Sequence, residues 1–184
     1  EGALALWRAI EAEPRLATLR NAVLFIEQPV KRAAALSIDI APLAAHRPVI
    51  VDESDGTLDA FVTARACGYA GVSSKACKGV YKSVVNLARC RRWNAEVGAE
   101  RFFLSGEDLT TLAGLCVQQD LALVSLLGLD HVERNGHHFV DGFTGRPRAE
   151  AERFLAAHPG LYRATDRGPR LAITDGMLDL ASLD

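Results

Sequence analysis

Val23-Leu24-Phe25-Ile26-Glu27 is an unbroken apolar run of four residues closed by a carboxylate. Half-exposed antiparallel strands alternate apolar and polar residues, whereas parallel strands covered on both faces do not, so this run reads as a buried parallel strand. Upstream, Leu4, Trp7, Ile10, Leu16 and Leu19 recur at helical spacing, with Pro14 breaking or kinking the helix. Downstream the same pattern returns. Pro48-Val49-Ile50-Val51 is a second short strand, and Thr57 is placed to cap a helix through Leu58, Phe61, Val62 and Arg65 that stops at Gly68. Gly71-Val72-Ser73-Ser74 forms a third strand leading to Lys75, residues 81–92 an amphipathic helix, and Phe102-Phe103-Leu104 a fourth strand. Residues 109–126 read as helix and 130–134 as a short fifth strand. Glu27, Asp52, Lys75, Glu107 and Glu133 follow the apolar runs at intervals of 25, 23, 32 and 26 residues, each long enough for one β-α unit.

A chain of β-α units in the α/β class folds either as an open doubly wound sheet or as a closed barrel. No strand is followed by G-x-G-x-x-G or G-x-x-x-x-G-K-[ST], the phosphate cradles common in open sheets. Charged groups stand instead at the C-terminal ends of successive strands, where a (β/α)8 barrel builds its active site. The expectation is therefore a partial TIM-type barrel, since five units are fewer than eight. The C-terminal part differs: residues 150–157 form a short helix before His158-Pro159-Gly160, and 171–174 face 177–180 across Asp175-Gly176 as a hairpin.

The 184 residues are 49% hydrophobic and 24% charged, with a net charge of −2. Those proportions exclude disorder, collagen and coiled coil, and without a basic field they argue against nucleic acid as a partner. Residues 112–128 are the most apolar stretch, but Gln118, Gln119 and Asp120 interrupt it. It reads as a core helix and no membrane partner is expected. Cys67, Cys77, Cys90 and Cys116 lie 10, 13 and 26 residues apart with no C-x-x-C pair, and are expected to be reduced, mostly buried thiols of a cytoplasmic protein. No secretion signal is read at the N-terminus, and a chain opening on Glu1-Gly2 without Met is read as part of a longer one.

Glu27 and Asp52 end neighbouring strands about 4.8 Å apart, close enough to share a hard cation such as magnesium. The competing reading makes each a helix cap or the partner of a nearby Arg. Lys75 ends the next strand, where burial and a neighbouring cation would fit it for general-base use. Lys78 and Lys82 follow at helical spacing and read as a solvated helix face. Glu107-Asp108 either hold substrate, counter the lysine, or favour a helix N-terminus. His137-His138 point to opposite sides of an extended segment with no third ligand at zinc spacing, so they read as loop histidines.

Taken together, Ile26-Glu27-Gln28-Pro29, Val51-Asp52-Glu53-Ser54 and Ser74-Lys75-Ala76-Cys77-Lys78-Gly79 resemble the C-terminal barrel domain of the enolase superfamily, in the mandelate racemase and muconate lactonizing enzyme branch. The likeness runs to about residue 143. It implies barrel strands 4 to 8 over residues 1–143, and a segment over 144–184 that packs on an N-terminal α+β capping domain. It further implies Glu27 and Asp52 as magnesium ligands, Lys75 as the acid/base, and Glu107 and Lys78 as groups that bind substrate. The mandelate racemase type has an Asp on the sixth strand and a His on the seventh; Lys75, and the lack of His in 102–108, match the lysine type better. A further ligand in an Asp-x-Asn segment and a Lys-x-Lys pair are implied upstream of Glu1. The usual Gly-Gly is Gly79-Val80 here, and residues 134–138 match no specificity motif.

The activity so implied is magnesium-dependent removal of a proton α to a carboxylate, with stabilisation of the enediolate, as in racemases, epimerases, cycloisomerases and dehydratases. The partner is a small-molecule carboxylate. The alternative is a catalytically incompetent fragment or a non-catalytic binding protein of the same fold, and the 184 residues alone are expected to be inactive and to bind magnesium weakly. Open sheet edges near Leu24 and Val132 predict a homo-oligomer.

Overall fold

The computed structural model describes residues 1–108, 114–134, 142–175 and 177–183. They form a mixed α/β fold around a five-stranded parallel sheet. The strands are β1 (Ile26–Glu27), β2 (Val49–Val51), β3 (Gly71–Ser74), β4 (Phe103–Asp108) and β5 (Val132–Arg134), hydrogen-bonded in chain order. Ile26 stands opposite Val49, Ile50 opposite Gly71, and Glu107 opposite Glu133. A doubly wound sheet reverses its strand order at a switch point, whereas successive β-α units of a barrel add each strand beside the last. The order seen is compatible with part of an α/β barrel. No helix among the described residues is long and apolar enough to cross a membrane.

Two compact units make up the chain: residues 1–74 with 78–105, and residues 75–77 with 106–184. In the first, α1 (Gly2–Ala12) and α2 (Ala17–Ala22) are separated by a 3-10 turn beginning at Pro14, the expected break. Val49, Ile50 and Val51 are all buried, as is the whole of β3, which accounts for the missing alternation. A Cβ at Gly71 would lie 2.8 Å from both Ile50 Cγ2 and Phe103 O, so only glycine fits there. The helices α3 (Ala41–Ala44), α4 (Ala60–Ala66) and α5 (Val80–Val97) complete this unit. Phe61, Trp93 and Phe102 pack edge to face at 5.1 and 5.4 Å, with the Arg65 guanidinium 4.5 Å over the Trp93 ring.

In the second unit α6 (Leu115–Leu127) and α7 (Arg148–Ala157) cover a core of Val117, Leu121, Phe143, Ala151, Leu161, Tyr162 and Leu171. Here an antiparallel pair, β6 (Tyr162–Arg163) and β7 (Arg170–Leu171), replaces the expected hairpin of 171–174 with 177–180. Of that hairpin a single Thr174–Met177 bridge forms, with Asp175 at φ 51°. Leu178 and Leu180 pack against the apolar core, so burial outweighs continued pairing. The turn that does carry the strands runs from Thr165 to Gly168, whose φ is 104°.

Other expectations need adjustment. Thr57 is not the cap of α4, which starts at Ala60 after Asp59. Leu24 is 65% exposed and precedes β1, because an edge strand has one neighbour to pair with. The strand expected at 102–104 continues to Asp108, so Glu107-Asp108 belong to β4 and not to a helix start. Of the four thiols only Cys90 is buried; Cys77 and Cys116 are exposed and Cys67 is intermediate. Residues 109–113, 135–138 with His137 and His138, and Gly176 lie outside the described residues.

Candidate functional site

In the first unit the ends of β1 and β2 bring Glu27 and Asp52 together. Parallel pairing of Glu27 with Ile50 sets the register, and a carboxylate oxygen of each residue lies within 4.8 Å of the other's. Asp52 is 3% exposed. The link between these strand ends is Gln28. Its backbone turns at φ 22°, its N–H donates to Ile50 O at 2.9 Å, and its Oε1 accepts from the N–H groups of Asp52 at 3.0 Å and Ser54 at 2.9 Å. Ser54 Oγ in turn donates to Arg32 O. The loop after β2 is thus fixed by a side chain from the strand beside it.

Two lysines also hold this loop. Lys78 Nζ donates to Asp52 Oδ1 at 2.7 Å, to Asp52 O at 2.9 Å and to Ser73 O at 2.8 Å, which matches an ammonium's three donors. Lys82 Nζ donates to Asp55 O and pairs with Asp55 Oδ2 at 3.0 Å. Burial holds the Asp55 carboxyl above its usual range against the opposing pull of Lys82, and its Oδ1 is buried with no hydrogen-bond partner. Neither lysine is a solvated helix face: each side chain is 12% exposed. For Lys78 the geometry is that of a group holding Asp52.

In the second unit Lys75 and Glu107 form an ion pair at 2.5 Å, with side chains 3% and 8% exposed. Glu107 thus counters the lysine, one of the roles open to it. Next to Lys75, the Ala76 N–H donates to Asp120 Oδ1 at 3.1 Å, so α6 fixes the backbone that follows β3. A buried ammonium and carboxylate are costly to desolvate singly and compensate each other as a pair.

Hard carboxylate oxygens at Glu27 and Asp52 fit magnesium or manganese better than softer metals. Sequence reasoning found the strand-end charges and missed their holders. Gln28 stands in the Ile26-Glu27-Gln28-Pro29 segment and Lys82 at a helical spacing, but neither shows in sequence what it holds, and Asp55 carries no motif; only strand adjacency reveals these contacts. Comparison with family models, with curated proteins and with solved structures found no match to this chain.

Proposed function

We propose that this chain carries part of a magnesium-dependent active site that removes a proton α to a carboxylate in a small molecule, on a partial TIM-type barrel of the enolase type. The observation that carries the reading is the succession of strand ends. Glu27 closes β1, Asp52 follows β2, and Lys75 follows β3, the strand paired with β2. Three charged groups of the kind that reaction needs thus follow three consecutive strands, and the first two bring oxygens within 4.8 Å. Magnesium, when bound, supplies positive charge to offset the negative charge building on the substrate carboxylate. Lys75 would act as the neutral amine, its own proton having passed to Glu107 at 2.5 Å; it would then take the α proton and return it, while Glu107 positions the amine. The unbridged thiols fit a reducing compartment, the cytoplasm.

A second reading has its own observation. Asp52 is paired with Lys78 and Lys75 with Glu107, and structural ion pairs in a non-catalytic protein would look the same. Proton exchange separates the two. The full-length protein that carries this chain is incubated with magnesium in D2O with a panel of small carboxylic acids, because the 184 residues alone are expected to be inactive, and deuterium at the α carbon is followed by NMR. The catalytic reading expects exchange that Lys75→Ala lowers by about 10²-fold or more, the range of general acid–base catalysis, with magnesium affinity retained. Exchange unaffected by that substitution would remove Lys75 from the chemistry, and absence of exchange with every acid would favour the binding protein.

A further inference from the structure

We propose that the Lys78 ammonium is a tethered cation: it occupies Asp52 in the cation-free protein and sets how tightly the Glu27–Asp52 pair takes a divalent ion. This rests on the cation reading above. Lys78 stands between two strand ends, bonded to Asp52 O and Oδ1 after β2 and to Ser73 O on β3. Its side chain is 12% exposed and that of Asp52 5%, so solvent and salt screen the contact little. An arriving ion must share Asp52 with a positive charge that the chain cannot release. The two carboxylates and one ammonium leave a net charge of one negative for a doubly charged ion.

A merely structural lysine would have the opposite signature. Removing a holder disorders the ligand and weakens binding. Asp52, however, has a second anchor: its N–H is held by Gln28 Oε1 at 3.0 Å, and Ser54 N–H by the same oxygen. Neutralising Lys78 therefore changes the charge at Asp52 more than its position, and binding tightens. Lys82 supplies an internal control, because it grips Asp55 on the same loop through the same chemistry.

The test is titration with Mn2+, free ion being read by electron paramagnetic resonance, on the whole chain and on Lys78→Gln, Lys78→Arg, Lys82→Gln and Glu27→Gln. Lys78→Gln keeps an amide donor and drops the charge; it is expected to bind Mn2+ about tenfold tighter or more, as loss of a like charge in a poorly screened site requires. Lys78→Arg and Lys82→Gln are expected to stay within about threefold of the parent, and Glu27→Gln to weaken binding about tenfold or more. If Lys78→Gln does not fold, Lys78→Met replaces it, since its unbranched apolar chain fills the stem of the lysine. Binding by the neutral variant that is unchanged or weaker overturns the tethered cation while Glu27→Gln still upholds the cation site. Binding indifferent to Glu27→Gln, or absent throughout, overturns both.

Discussion

At the scale of single residues, charge at a strand end is legible in sequence and its partner is not. Lys75 follows the short strand-like stretch Gly71-Val72-Ser73-Ser74 and is picked out by its place after two strands that end in carboxylates. Its ion pair with Glu107 spans 32 residues and exists because the fold sets them together. Cys90 shows the same division: its identity is in the sequence, while its environment on α5 pushes the thiol up to about 12 from an ordinary 9.0, through burial. In the unfolded chain that thiol ionises near 9.0, so above this pH the folded chain keeps a proton that the unfolded chain has lost. Stability therefore falls as pH rises from there toward 12, by up to about 1.4 kcal/mol per pH unit for one proton. Urea unfolding between pH 8.5 and 10 is expected to show a shallower loss in Cys90→Ala than in the parent. Equal slopes would mean that the thiol is not held neutral. Tyr69, pushed up to about 12 from 10.0 by burial, adds its own loss above that window.

Among elements, position was easier to read than extent. The strand cores at 26 and 49–51 follow from runs of apolar residues and the Pro14 break from a missing N–H, while 71–74, with Val72 as its one large apolar residue, is placed by the recurrence of the β-α unit. The continuation of β4 to Asp108 follows from neither, because Gly106, Glu107 and Asp108 carry no strand signal and are drawn into pairing by β5. Asn94 is a comparable case. It sits on α5, where asparagine is indifferent at best, and closes the turn into β4: Oδ1 accepts from the N–H groups of Arg101 and Phe102 at 2.9 and 2.7 Å, and Nδ2 donates to Phe102 O at 2.8 Å. Asn94→Leu leaves the buried N–H and C=O of Phe102 unpaired and is expected to cost about 1–3 kcal/mol for each one that water does not reach. Gly71→Ala forces a Cβ against Ile50 and the Phe103 carbonyl, for about 1–3 kcal/mol of overpacking. Chemical denaturation checks both, and a Gly71→Ala protein as stable as the parent would show that β3 and β4 can separate without loss.

For the whole molecule the strand order has one direct consequence. The order begins at β1 and ends at β5, so among the described residues each has one side unpaired within the chain. Unpaired strand edges recruit other chains. Sedimentation is expected to show association that grows with protein concentration, and a monomer at every concentration would count against it.

What the sequence determined by itself is the alternation of strand and helix, the burial of the central strands and the charges that close them. Each of these follows from the period of the apolar pattern and from single residues such as Pro14. Only the tertiary structure decided that Lys78 holds Asp52, that Gln28 ties β1 to the loop after β2, and that Leu171 pairs with Tyr162. Those contacts join residues 24 to 26 positions apart across the sheet, or 9 apart across a turn. No local propensity encodes them: each is the most favourable partner left once the apolar surfaces have been buried.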